Sequence, residues 1–214
     1  MIIRKAVVAF AAILCVALLA APLNGQVGKS LGLMDFNTMP EKDLLTLPNM
    51  TPAIAKSVLD KRPFASILDV NTLLTGQGIT AEQATAIYEK AFVTLNLNTC
   101  TVPEIALVPR ARRMQIEFPE YRPWKTMAQF DRNIGKYVVS TPGELERLKQ
   151  YVFIPLDLNT ATDEDFLTIP GVGAMVKEFK EYRPWKSKEQ FEKEIGKYVP
   201  AKEVARLWRY MVIQ

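Results

Sequence analysis

Over residues 156–214 the apolar positions fall at helical spacing in four short runs, separated from one another by Pro or Gly. Thr162 followed by Asp165, with Glu164 between, predicts an N-cap with acidic residues in the first turn. That helix ends near Ile169, because Pro170 disfavours helical geometry in the residue before it. Gly171-Val172-Gly173 predicts a tight turn. Val176, Phe179 and Tyr182 then repeat at helical spacing on a second helix, which Pro184 stops. Ser187, with Gln190 three residues on, predicts a third cap, and the helix behind it turns Phe191 and Ile195 inward. After Gly196 and Pro200 a fourth helix carries Val204, Leu207, Trp208 and Met211. No run reads as a strand, so the expected fold class is all-α, four short helices joined by tight turns.

The same pattern occurs three times. Asp35-Phe36-Asn37-Thr38, Asn96-Leu97-Asn98-Thr99 and Asp157-Leu158-Asn159-Thr160 are one phrase at a spacing of 61 residues. Leu47-Pro48, Val108-Pro109 and Ile169-Pro170 keep that interval, and Arg62-Pro63-Phe64, Arg122-Pro123-Trp124 and Arg183-Pro184-Trp185 follow at 60 and 61. Between the second and third copies the match is direct: Glu120-Tyr121-Arg122-Pro123-Trp124-Lys125 against Glu181-Tyr182-Arg183-Pro184-Trp185-Lys186, and Ile134-Gly135-Lys136-Tyr137-Val138 against Ile195-Gly196-Lys197-Tyr198-Val199. A fixed period of this length sets the architecture as tandem units. The expected units are 35–94, 95–155 and 156–214.

Ahead of them, Arg4 and Lys5 precede a run from Ala6 to Leu23 without a charged or strongly polar side chain. A short basic region followed by an apolar stretch is the layout of a secretory leader, and about 18 apolar residues also just span a bilayer. Residues 1–25 are therefore read as a signal peptide or a membrane anchor and 26–34 as a linker. Either reading places the remainder in an exported compartment, periplasmic or extracellular. Outside the leader Cys100 stands alone, so no intrachain disulfide is expected there and burial of the thiol is.

Composition narrows the chemistry. The 214 residues include no histidine and two cysteines. Ser-His-Asp and Cys-His nucleophile systems, histidine metal sites and thiolate zinc clusters all lack their residues. A carboxylate-based hydrolase has no motif behind it, so a non-enzymatic protein without cofactor, metal or catalytic residues is expected. Asp163-Glu164-Asp165 is read as helix N-terminal charge. The first unit carries seven acidic and five basic residues, the third ten of each, and the second alone is basic, with nine against six.

A short helix, then apolar-Pro-Gly-apolar-Gly, then a second helix resembles the helix-hairpin-helix motif. The phrase from Leu158 to Gly173 resembles the ComEA family of exported competence proteins, and the likeness extends over residues 35–213. It is closest in the third unit, weaker at Leu47-Pro48-Asn49-Met50-Thr51, and only a frame at Val108-Pro109-Arg110-Ala111-Arg112. The resemblance implies SAM-like units of four short helices and nonspecific binding of DNA, possible through backbone amides that a Cβ would otherwise keep from a phosphate. On that reading Gly171, Val172 and Gly173 donate, with Lys177 one turn on. Leu74-Thr75-Gly76-Gln77-Gly78-Ile79 matches a second hairpin, which makes Gly76 and Gly78 a second candidate site.

Arg110, Arg112 and Arg113 stand where a hairpin would meet phosphate, and guanidinium forks can replace lost backbone donors; the other reading is an ordinary solvated charge run. Trp124 and Trp185 are read as core anchors rather than base-stacking platforms. The second functional reading is a structural module outside the cytoplasm that binds a protein partner, with hairpins that hold the fold and touch no nucleic acid.

Overall fold

The computed structural model describes residues 32–214; the expected leader and most of the expected linker lie outside them. In chain order the first stretch has β1 (Met34–Asp35), α1 (Glu41–Leu44), α2 (Pro52–Lys61), α3 (Ile67–Gly76), α4 (Ala81–Tyr88) and β2 (Ala91–Phe92). The second has β3 (Leu95–Asn96), α5 (Val102–Ala106), α6 (Met114–Glu120), α7 (Met127–Val138), α8 (Glu144–Lys149) and β4 (Val152–Phe153). The third has β5 (Leu156–Asp157), α9 (Asp163–Leu167), α10 (Met175–Glu181), α11 (Lys188–Ile195), α12 (Ala201–Trp208) and β6 (Met211–Val212).

The all-α expectation holds only in its coarse form. The described residues are mainly helical, 49% of them in helices, but among them six two-residue strands pair in parallel as β1 with β2, β3 with β4 and β5 with β6. Met34 stands opposite Ala91, Leu95 opposite Val152 and Leu156 opposite Met211. Each pair joins the start of a stretch to its end. Two residues are too few to show a period of two, so nothing in the local pattern announces these strands. No helix among the described residues is long and apolar enough to cross a membrane.

The recurring phrases interlock. The side chain of Asp35, Asn96 or Asp157 accepts a hydrogen bond from the amide two residues on, at 2.7, 2.9 and 3.2 Å, which folds the phrase into a turn. The asparagine so placed clasps the residue after Arg-Pro. Asn98 accepts from the Trp124 amide at 2.7 Å and donates to its carbonyl at 2.9 Å; Asn159 does the same to Trp185, and Asn37 to Phe64. Arg122 and Arg183 then reach back, Nε donating to the Leu97 and Leu158 carbonyls at 2.7 Å. Their Nη2 atoms bond the carbonyls of Cys100 and Ala161. Two phrases some 25 residues apart in sequence thus form one polar joint per stretch.

Around these joints lies the core. Trp124 and Trp185 are fully buried, and each indole donates to a carbonyl, Phe118 and Phe179 respectively, as buried tryptophans do. Cys100 is buried and unpaired; burial pushes its thiol up, against the pull of Arg122. One apolar cluster runs continuously through the first two stretches to Ile154, and a second holds the third stretch from Phe153 to Met211.

Polar contacts also join one stretch to another. Ser66 Oγ donates to Glu104 Oε1 at 2.5 Å, while the same carboxylate closes the capping box of α5 with Thr101. Burial pushes the Glu104 carboxyl up, but the Ser66 hydroxyl and the Thr101 amide and hydroxyl outweigh it and hold it below its ordinary 4.5. A carboxyl depressed by folding contributes stability above its unfolded value and loses it as pH falls through the folded one. Glu104→Gln is therefore expected to flatten the acid side of the stability–pH curve below about pH 4.5, measured by urea unfolding at stepped pH. A slope equal to wild type there would remove Glu104 from the account.

Candidate nucleic-acid interface

The three turns between first and second helices share one backbone solution despite different residues. Asn49, Arg110 and Gly171 occupy the same place at 61-residue spacing and all take left-handed angles, φ 58, 59 and 67°. Glycine adopts that region without cost and asparagine visits it; an arginine there is strained by roughly 1–2 kcal/mol. In each turn the next residue is apolar and buried: Met50, Ala111, Val172. Its amide bonds the carbonyl three residues back, Leu47, Val108 or Ile169, at 3.2 Å. This corrects the expectation for Val172. Its side chain enters the core and its N–H is taken up inside the turn, so it cannot donate to a ligand.

The third turn differs in its second glycine. Gly173 also has a positive φ, 52°, whereas Thr51 and Arg112 at that place do not. The amides of Gly171, Gly173 and Ala174 find no acceptor among the described residues, and a Cβ on Gly173 would meet only the Gly171 carbonyl oxygen, at 4.0 Å. Gly171 is closely backed: a Cβ there would stand 2.8 Å from Thr38 Cγ2 of the first stretch. Behind the turn Arg206 Nη1 donates to the Pro170 carbonyl at 2.6 Å. Lys177, 81% exposed, lies a turn into α10, with Glu181 at 4.0 Å.

The arginines of the second turn separate into three cases. Arg113 is engaged: Nε donates to Glu117 at 3.1 Å and the guanidinium sits 4.0 Å above the Tyr137 ring. Arg110 extends to 3.9 Å from Glu89 with two thirds of its side chain exposed. Arg112 is exposed and makes no ion pair among the described residues. A hollow of about 400 Å³ beside Arg110 and one of about 350 Å³ beside Gly171 both border Leu33 and Gln150. The two hollows therefore meet the same N-terminal segment at Leu33, just ahead of β1.

Gly76 and Gly78 do something else. Gly76 ends α3 and Gly78, at φ 86°, follows its C-cap; the Gly78 amide donates to the Thr75 carbonyl at 3.0 Å and the Ile79 amide to Leu74 at 3.0 Å. That is a helix C-terminus closed by a left-handed glycine. The expectation that Gly78 offers a phosphate donor is corrected: its amide already has a partner.

Asp163, Glu164 and Asp165 form the first turn of α9, where Asp165 closes a capping box with Thr162 and Asp163 pairs with Lys180 at 2.7 Å. No cluster of the described residues could hold a metal ion. The sequence reading also passed over a buried polar junction. Asp35 of β1 lies among Arg206, Arg209 and Tyr210 of the third stretch, and burial pushes its carboxyl up against those guanidinium groups and the Asn37 amide. The signal was present as a charged residue next to a core phenylalanine, but nothing in one sequence says what faces it. Comparison with family models, with curated proteins and with solved structures finds no match for the chain.

Proposed function

We propose that the chain is an exported, non-enzymatic protein of three tandem helix-hairpin-helix units that binds DNA without sequence preference. The observation that carries this reading is the turn from Pro170 to Ala174, where three backbone amides without a partner among the described residues lie at and beside two left-handed glycines. Such amides suit a phosphate oxygen and read no bases. Lys177 and the exposed Arg110 and Arg112 add cationic contacts.

Three cations predict a shallow salt dependence, a log–log slope of about −3, and weak affinity indifferent to sequence. Arg110→Ala with Arg112→Ala is expected to bring the slope to about −1 in gel shifts of duplex DNA across a salt series. Unshifted DNA at low salt with the wild-type chain ends the nucleic-acid reading.

A second reading rests on its own observation. Two of the three turns lack the second left-handed glycine, and Arg113 is bound within the fold. A structural module outside the cytoplasm that presents its faces to a protein partner fits those turns equally well.

A further inference from the structure

In the second and third stretches the groove between the second and third helices is filled from within. Tyr121, at the end of α6, and Tyr137, in α7, meet hydroxyl to hydroxyl at 2.8 Å. Lys136 Nζ lies 2.7 Å from the Tyr121 hydroxyl and 4.9 Å above the Tyr137 ring. Tyr182 and Tyr198 repeat the contact at 2.9 Å, with Lys197 Nζ 5.2 Å above the Tyr182 ring. Each inner tyrosine rests on the tryptophan of its stretch, Trp124 or Trp185, with ring centres 5.9 Å apart.

The first stretch has the groove and not the filling. With Arg62-Pro63 set against Arg122-Pro123 and Arg183-Pro184, Lys61 stands where Tyr121 and Tyr182 do. With the N-cap Ser66 set against Thr126 and Ser187, Gly76 replaces Lys136 and Lys197, and Gln77 replaces Tyr137 and Tyr198. Lys61, Gly76 and Gln77 all line a cleft of about 680 Å³ between α2 and α3. A Cβ on Gly76 would meet nothing within 4 Å. Phe64, the counterpart of the two tryptophans, lies at the base with Pro63 and Leu73, and Ser57, Thr72 and Gln77 offer hydrogen bonds at the walls.

We propose that this cleft receives a tyrosine side chain of a partner polypeptide, with a basic residue beside it. Two copies of the same groove show what it closes on: a phenol against the aromatic at its base, hydroxyl at the rim, ammonium over the ring. The repeat favours the basic neighbour: the lysine that the other two grooves carry is absent here, and Asp60 and Asp69 line the cleft beside Lys61. Asp60 already pairs with Lys56 at 2.7 Å and Asp69 caps Ser66, so both carboxylates are held in place at the edge. A phenol combines apolar area with one polar tip, which a half-open cleft of this lining can satisfy at both ends. The proposal does not depend on nucleic-acid binding.

The test titrates the full chain, isotope-labelled for amide NMR, with p-cresol and then with the capped tripeptides Gly-Lys-Tyr and Gly-Ala-Tyr. Saturable shifts are expected at Thr72, Leu73, Gly76 and Gln77 and none at Lys136, Tyr137, Lys197 or Tyr198. The lysine tripeptide should bind about threefold more tightly than its alanine counterpart, as a single exposed charge pair allows. Lys61→Tyr with Gln77→Tyr should close the cleft and abolish the shifts. If that pair fails to fold, Gly76→Lys alone should remove the advantage of the lysine tripeptide. Absence of saturable shifts at Gly76 and Gln77 overturns the proposal. Equal shifts in all three grooves, or undiminished binding by a folded Lys61→Tyr/Gln77→Tyr chain, also overturn it.

Discussion

Arg206→Met is expected to destabilise the protein by about 3 kcal/mol, the lower end for breaking an ion pair, here one whose arginine is buried. Arg206 is 3% exposed, and all three of its guanidinium nitrogens are used. Nε and Nη2 donate to Glu203 at 2.8 and 2.6 Å, and Nη1 donates to the Pro170 carbonyl. Methionine fills much of the volume but leaves the carbonyl behind the glycine turn without its donor and the Glu203 carboxylate, 31% exposed, to water alone, and it removes a positive charge facing the half-buried Asp35. Arg147 provides the comparison. It makes the same two-pronged contact with Glu144, at 2.7 and 2.6 Å with both side chains 15% exposed, but its Nη1 has no partner to correspond to the Pro170 carbonyl. Arg147→Met should cost about half as much, roughly 1.5 kcal/mol. Urea midpoints at constant slope give both numbers, and amide exchange at Val172, the one bonded amide of the turn, should quicken only in Arg206→Met. Equal losses in the two variants would mean that the Pro170 contact contributes nothing.

The parts of this fold that a reader of the sequence can find are those fixed by neighbours in the chain. Thr162 with Asp165 and Ser187 with Gln190 cap their helices as their spacing predicts, and Pro170 and Pro184 follow helices that have ended. Burial of Trp124, Trp185 and Cys100 follows from residue type. What escapes is set by residues far apart. The strand pairs join positions such as Met34 and Ala91, and no two-residue segment carries that information. The Asp-Phe-Asn-Thr and Arg-Pro-Trp phrases are visible as repeats, but only the folded chain shows that one clasps the other. Glycine was a misleading guide in both directions. Asn49 and Arg110 keep the left-handed turn without it, because the buried residue that follows and its amide bond fix the geometry. Gly76 and Gly78 have the right spacing for a binding hairpin and instead end a helix. At the candidate interface the sequence located the free amides of Gly171 and Gly173 but could not tell them from that of Val172.

Trp185→Ala is expected to remove about 4 kcal/mol and to do so locally. The indole is 2% exposed, packs on Phe191 and Tyr182 with ring centres at 5.5 and 5.9 Å, and bonds the Phe179 carbonyl at 2.6 Å. Truncation leaves a cavity and an orphaned carbonyl in the apolar cluster of the third stretch, which Phe153 alone joins from the second. A segment of about 60 residues is marginally stable by itself, so a loss of this size should open it while the rest stays folded. Trp124→Ala removes the same volume from a core shared by the first two stretches, which the larger cluster can redistribute over more than twice as many buried residues. Segment-resolved hydrogen exchange distinguishes the two outcomes. In Trp185→Ala, protection should fall across 156–213 and persist in the buried positions of α3 and α7. In Trp124→Ala, α2, α3, α6 and α7 should lose protection together. If Trp185→Ala instead lowers protection evenly from 35 to 213, the polar junction of Asp35 with Arg206 and Arg209 couples the stretches more tightly than their separate cores imply, and the molecule unfolds as one unit.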